Sequence, residues 1–311
     1  MHGIDEFHLM GGEPLALGDR LVDLMRYIKS QGGRIHLLTS GYTLKYADQI
    51  LPLTDAVFVS LDGPEDTHNF TRGLPIFSTA IAFIKKAVGY GCKVRIGTVV
   101  SRLNVANAHK VVDVLKENGI TPNSLCWMNM SPTGGLFAAE HGDRTVSGAA
   151  LVNYLSADEW LAFVERLAND PAIAALPWTK VESAFSNKPE NFGCELLQGK
   201  RRVMVMSDGG MYLCPMLTPL PAQANILQGD PVEQLVKLLS WEPVSPDACG
   251  DGCLGGCPGY AQLFGQGRCD ARCARTCDSK IPAHLQLSPE RLVQGFRPIC
   301  PCRTVRVADL K

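Results

Sequence analysis

Through the first 130 residues, short apolar, β-branched runs alternate with stretches in which apolar residues recur every three or four positions. Residues 4–10, 34–39, 55–61, 94–100 and 125–130 read as strands of the buried, near-continuously apolar kind found in parallel sheets. Between them, residues 19–31, 44–51, 76–89 and 106–118 carry the helical period, with glycine stops at Gly32-Gly33 and Gly119. Strand and helix in turn are the signature of βα units, each about 30 residues long. Five strands are too few to close an eight-stranded barrel, so the pattern predicts an α/β fold with an open or partial barrel.

In such folds the functional groups sit beyond the C-terminal strand ends, and polar residues gather there. The first strand runs into Gly11-Gly12-Glu13-Pro14, the second into Thr39-Ser40-Gly41, and the third into Ser60-Leu61-Asp62-Gly63-Pro64 with His68 and Arg72-Gly73 downstream. The fourth leads to Ser101-Arg102-Leu103-Asn104. Two glycines let backbone approach a ligand closely, a carboxylate accepts hydrogen bonds from an amine, and an arginine can hold a carboxylate in bidentate fashion. A plain strand-to-helix turn accounts for each motif taken singly.

Composition adds a second feature. Ten of the twelve cysteines follow residue 190, six of them in the 29 residues from Cys249 to Cys277. Disulfides, zinc and iron–sulfur clusters all use cysteine at this density. The opening residues MHGIDEFHLM lack the basic start and apolar run of a signal peptide, which argues against an oxidising compartment. The spacing Cys249-x3-Cys253-x3-Cys257 and Cys269-x3-Cys273-x3-Cys277 differs from the x2 pairs common in zinc sites. Cys194, Cys214, Cys300 and Cys302 bring the candidate ligands to ten, enough for two four-thiolate clusters. Cys92 and Cys126, beside and within strands, read as buried thiols.

Thirty basic and 31 acidic residues give a net charge of −1, which leaves no electrostatic footprint for nucleic acid or an anionic membrane. No apolar run reaches the length of a membrane span. A cytoplasmic protein is expected. In the second half, residues 202–206 and 210–213 read as a hairpin through Ser207-Asp208-Gly209.

Taken together, GGEP, TSG, VSLDGP with TRG, and IGTVVSRLN resemble the radical S-adenosylmethionine (SAM) enzymes with a partial (β/α)6 barrel. The resemblance covers roughly residues 1–135. Cys194, Gly209 and Cys214, with fourteen and then four residues between them, together with Leu254-Gly255-Gly256-Cys257, resemble the SPASM extension that carries auxiliary iron–sulfur clusters. The implied organisation is a barrel at 1–135, a helical connector at 136–190, and a Cys-rich SPASM domain at 191–311 with a hairpin and little other regular structure.

Residue by residue, the resemblance implies that Gly11, Gly12 and Glu13 bind the amino group of SAM and that Ser60 and Arg72 hold its carboxylate or ribose. The run 96–100 would lie beside adenine. Ser40 stands where the family more often has asparagine. Cys194, Cys214 and Cys257 are implied for one auxiliary [4Fe–4S] cluster, and Cys249, Cys253 and members of Cys269, Cys273 and Cys277 for the other, with Cys300 and Cys302 as further candidates. The family's usual intervals of two and five residues stand here as three and three.

Radical SAM enzymes hold a reductive [4Fe–4S] cluster on a CxxxCxxC loop one βα unit before GGEP, and these 311 residues contain no such motif. The expectation is therefore a barrel without its first βα unit, inactive as it stands, either as a truncated form of a full-length enzyme that carries that cluster or as a protein that has lost the activity. The resemblance implies modification of a ribosomally made peptide or protein, with a flavodoxin or ferredoxin as electron donor; the catalytic base is not assigned. Two other maturation classes share the architecture, for sulfatases and for tetrapyrrole-type cofactors. The sulfatase-maturing enzymes carry an acidic residue after the second SPASM cysteine, where Pro215 follows Cys214 here. A non-catalytic iron–sulfur or electron-transfer protein is the alternative outside enzymology.

Overall fold

The computed structural model describes residues 4–129, 153, 155, 157–182, 185–186, 202–213, 222–240, 297–298 and 304–310. The chain divides into two compact units, one made of Met1–Met130, Trp160–Glu182 and Thr304–Lys311, the other of Ser131–Glu159 and Ser183–Arg303.

The first unit is built on a sheet whose strands β1 (Glu6–Leu9), β2 (Arg34–Thr39), β3 (Ala56–Ser60), β4 (Lys93–Val100), β5 (Ser124–Asn129) and β6 (Thr179–Glu182) lie in chain order and run parallel. Strand β12 (Thr304–Arg306) closes the far edge antiparallel to β6. Helices α1 (Asp19–Ser30), α2 (Ala47–Ile50), α3 (Glu65–Arg72), α4 (Phe77–Gly89) and α5 (Val111–Glu117) fill the crossovers, and α6 (Ala157–Asn169) with α7 (Pro171–Ala174) precedes β6. This is the open α/β sheet of a partial barrel.

Alternation decides which face is core. Ile35, Leu37, Val57, Val59, Val94, Ile96, Leu125 and Trp127 are fully or almost fully buried. They share that face with the apolar stripes Leu21, Val22, Met25 and Ile28 of α1 and Ala80, Ile81, Phe83, Ile84 and Ala87 of α4. The stripes recur every three or four positions, and each fully buried Leu, Ile or Phe contributes about 1.5–3 kcal/mol. Trp127 adds a hydrogen bond from its indole nitrogen to Ala108 O at 2.9 Å and an edge contact to Phe163 of α6.

The opposite face of the sheet carries the alternate residues, among them Glu6, His8, His36, Phe58, Ser60, Gly97 and Met128. Gly97 is required there by contact, because a Cβ would lie 2.1 Å from the Phe58 ring. Gly97→Ala is therefore expected to destabilise the domain by about 1–3 kcal/mol through displacement of Phe58, measured as a loss in thermal midpoint; an unchanged midpoint would mean the ring moves freely.

The structure adds two elements to the sequence reading of this half. The segment Glu65–Arg72, expected only as polar residues after a turn, is a helix, and β6 joins the sheet although Thr179–Glu182 has one strongly apolar residue. Residues 160–182 and 304–310 accordingly belong with the sheet, through the buried side chains Leu161, Phe163, Leu167 and Val181.

In the second unit, β8 (Met204–Val205) and β9 (Gly210–Tyr212) form the expected hairpin, and β10 (Ala224–Asn225) adds a third strand. Helix α8 (Pro231–Leu239) opens on Asp230, whose carboxylate accepts from Val232 N and Glu233 N at 2.9 Å. Met211, Leu213, Ala224 and Leu238 form the small core. Strands β7 (Phe185–Ser186) and β11 (Arg297–Pro298) make a separate antiparallel pair. All ten candidate cluster cysteines, from Cys194 to Cys302, lie outside the described residues. Among the described residues no helix is long and apolar enough to cross a membrane.

Candidate functional site

The polar residues singled out after the strands lie at the C-terminal strand ends of the first unit. Gly11 and Gly12 have φ of +91° and +50°, which L side chains rarely adopt, and a Cβ on either would meet nothing within 4 Å. The corner therefore turns as only glycine allows and leaves open space above its backbone.

Glu13 fixes this corner to the neighbouring strand. Its Oε1 accepts from Leu15 N at 3.1 Å and Thr39 Oγ1 at 2.6 Å, and its Oε2 from Ser40 N at 2.8 Å and from Ser40 Oγ. The TSG sequence thus supplies donors to the GGEP carboxylate. Two of the four donors are hydroxyls, which rotate and can accept as well as donate. An incoming ammonium can exchange with one of them, so the glycine pair and Glu13 suit a ligand that carries an amino group. Removing the carboxylate strands two backbone N–H groups. Glu13→Ala is expected to cost about 2 kcal/mol of stability, read from a denaturant titration in which Glu13→Gln loses less.

Beyond β3 the geometry is tighter. Asp62 is 1% exposed, and Arg72 donates from Nη2 to its Oδ1 at 3.1 Å while Nε lies 2.6 Å from Oδ2. That Nε makes no hydrogen bond, so the shorter contact is ionic. Burial pushes the Asp62 carboxyl above the usual carboxylate range, and the Arg72 guanidinium opposes this.

Asp62 N donates to His68 Nδ1 at 3.2 Å, which places the imidazole proton on Nε2. Burial, followed by the Arg72 charge, lowers His68 to about 4. The ring is therefore neutral and serves as an acceptor for the loop. Asn104, also 1% exposed, donates from Nδ2 to Asp62 O at 3.0 Å and to Val99 O at 2.9 Å, and its Oδ1 accepts from Ser101 N at 2.8 Å. Ser60, the last residue of β3, is half-buried opposite Gly97.

The structure thus brings Gly11, Gly12 and Glu13 together with Thr39 and Ser40, and gathers Arg72, Asp62, His68 and Asn104 into one network. Arg72 arrives largely neutralised, which makes it a fixed donor more than a free cation. Thr39, Asp62 and Asn104 were not read from sequence as interacting groups. The signal available was the occurrence of small polar residues immediately after three consecutive strands. Along 96–100, Ile96 and Val100 are buried in the core, and Val99 is partly exposed on the other face. Cys92 and Cys126 are buried; burial raises the Cys92 thiol to about 11.

None of the curated proteins matches the chain by sequence. Solved structures do match in fold. Native anSMEcpe with bound AdoMet and the Cp18Cys peptide aligns over 99% of this chain and 79% of its own, at 17% identity and a TM-score of 0.56. Hexahistidine-tagged anSMEcpe with bound AdoMet aligns over 76% of this chain at 20% identity and a TM-score of 0.52. Streptococcus suis SuiB bound to precursor peptide SuiA aligns over 80% at 14% identity and 0.53. The chain spans 66% of the tagged anSMEcpe chain and 61% of the SuiB chain in these alignments. The family profile described as Radical SAM superfamily matches residues 1–115, which contain the Gly11-Gly12-Glu13 corner and the first four strands. Residues 1–115 are therefore similar to the radical SAM superfamily, and the chain shares its fold with these solved structures.

Proposed function

We propose that the chain belongs to a radical SAM/SPASM oxidoreductase-type maturase acting on a ribosomally made peptide or protein. The observation that carries this reading is the open Gly11-Gly12 corner with Glu13 clamped across two strand ends, at the edge where a parallel α/β sheet receives its ligands. When bound, SAM beside a reduced [4Fe–4S] cluster would supply one-electron radical chemistry for hydrogen abstraction from substrate, with methionine as the group released. In this reading Glu13 holds the SAM amino group with Ser40 Oγ as exchanging partner. Arg72, held in place by Asp62, presents its guanidinium towards the carboxylate or ribose, and Ser60 offers a hydroxyl from the half-buried face. The chain positions SAM and excludes water; its own side chains move no electron.

Support for a peptide or protein substrate comes from the fold shared with SuiB, whose structure holds precursor peptide SuiA, and with anSMEcpe holding a peptide. The ten cysteines from Cys194 to Cys302 are assigned to two auxiliary [4Fe–4S] clusters by their spacing. A flavodoxin or ferredoxin is the fitting electron donor, in the cytoplasm.

The test is chemical analysis of anaerobically purified chain, followed by SAM cleavage with a reductant. About eight iron and eight sulfide per chain are expected. Stoichiometric zinc without sulfide would end the cluster assignment. Because these 311 residues hold no CxxxCxxC, the chain by itself is expected to bind SAM without producing 5′-deoxyadenosine, and robust production would refute that part of the reading.

A further inference from the structure

On the half-exposed face of the sheet, three metal-ligating side chains converge for a reason the SAM site does not supply. Glu6 and His8 lie two residues apart on β1 and share one face, and the parallel register sets His8 directly beside His36 of β2. Glu6 Oε1 lies 2.7 Å from His8 Nε2 and 3.4 Å from His36 Nδ1. One ligand atom from each of the three lies within 4.8 Å of the others.

We infer that Glu6, His8 and His36 form a binding site for a single divalent first-row transition-metal ion, separate from the cysteine clusters and from the SAM corner.

The donor chemistry favours this over a plain hydrogen-bonded pair. Two imidazoles and one carboxylate oxygen are the donor set of zinc centres with two histidines and a glutamate and of the two-histidine, one-carboxylate iron sites, both of which leave a position open. Bond lengths of about 2.0–2.1 Å to such an ion place tetrahedral donors roughly 3.4 Å apart, close to the 3.4 Å between Oε1 and His36 Nδ1. His36 Nδ1 is shielded from solvent and has no hydrogen-bond partner among the described residues. A buried ring nitrogen without a partner is costly unless something occupies it.

The carboxylate is also oriented. Arg34 Nη2 lies 3.3 Å from Glu6 Oε2, leaving Oε1 to face the rings, and is itself balanced by Asp5 at 3.0 Å. Such an outer partner fixes a ligating carboxylate. Arg34 and the more distant Arg95, which acts on His36 electrostatically, oppose a cation, whereas Asp5 and Asp55 favour one. The affinity is accordingly moderate. Glu6 and His8 precede Gly11 by five and three residues, roughly 16 and 10 Å along a strand, so an ion here does not coincide with the glycine corner.

The experiment titrates Co2+ alone into the full chain, anaerobically purified with its clusters reconstituted so that the cysteines are occupied, and follows the visible spectrum. One equivalent of Co2+ with ligand-field bands and no thiolate-to-cobalt charge transfer is expected, displaced by Zn2+. His8→Ala changes a partly exposed side chain and spares the core. It is expected to weaken that binding at least about 10-fold, as is Glu6→Gln, whereas His109→Ala leaves it unchanged. Equal binding by His8→Ala and the parent, absence of a Co2+ equivalent, or a thiolate signature would overturn the site. SAM binding is not the readout, so failure here and failure of the radical SAM reading are distinguishable.

Discussion

Asp62→Ala is expected to lower the stability of the first unit by about 3 kcal/mol, the largest effect of any single substitution at the strand ends. Asp62 is 1% exposed and receives both contacts from Arg72, whose side chain is 27% exposed. Deleting the carboxylate leaves the guanidinium partly buried without its counter-charge, and that exposure keeps the cost at the lower end of the range for broken buried pairs. Helix α3, which carries Arg72 and His68, loses one of its two ties to the β3 loop. A domain of this size is expected to lose roughly 6–12 °C in thermal midpoint. Asp62→Asn keeps the shape and one acceptor and is expected to lose about half as much. A loss under about 1 kcal/mol in the alanine variant would show that Arg72 is held elsewhere.

The second large effect is on acid stability. His68 is wholly buried, its folded-state value is lowered to about 4 from 6.5, and the cause is burial followed by Arg72. Because the folded value is the lower one, the unfolded chain takes up a proton first as pH falls. The stability His68 contributes is fully present above pH 6.5 and is lost as pH falls through about 4. The shift corresponds to about 3 kcal/mol. His36 and His109, also depressed by burial, steepen the fall in the same direction. His68→Asn offers Asp62 N a comparable acceptor that does not titrate. Its unfolding free energy is expected to vary less with pH between 6.5 and 4 than that of the parent, even if its absolute stability is lower. Parallel pH profiles for the two would contradict the assignment of His68 as a buried neutral acceptor.

Much of the first unit was legible because its strands and helices have strong, distinct periods. Residues 34–39 and 94–100 are mainly apolar stretches followed by polar residues, and α1 and α4 show clear apolar stripes, so the strands, their helices and the polar rim followed from the pattern, whereas the strand order comes from the structure. Helix α3 was missed because its sequence EDTHNFTR has few apolar residues; it is stabilised by Pro64 before its first turn, acidic residues within that turn and the Arg72–Asp62 contact. Strand β6 was missed because four residues carry little periodic signal, and its pairing with β5 is a long-range effect. The candidate site divides in the same way. Gly11, Gly12 and Glu13 were marked by a motif, whereas Asp62 in DGP and Asn104 in SRLN look like ordinary turn residues until two loops are brought together. His8 and His36 are 28 positions apart, and only the register of β1 on β2 pairs them.

Equilibrium binding of labelled SAM to the anaerobically reconstituted chain decides whether the Gly11-Gly12-Glu13 corner holds SAM. Saturable binding of one SAM per chain is expected, with Glu13→Ala weakening it at least about 10-fold while a substitution on the exposed surface of α1, such as Asp23→Ala, has no effect. Absence of saturable binding, or equal binding by the Glu13→Ala variant when its fold is intact, would show that the corner does not hold SAM.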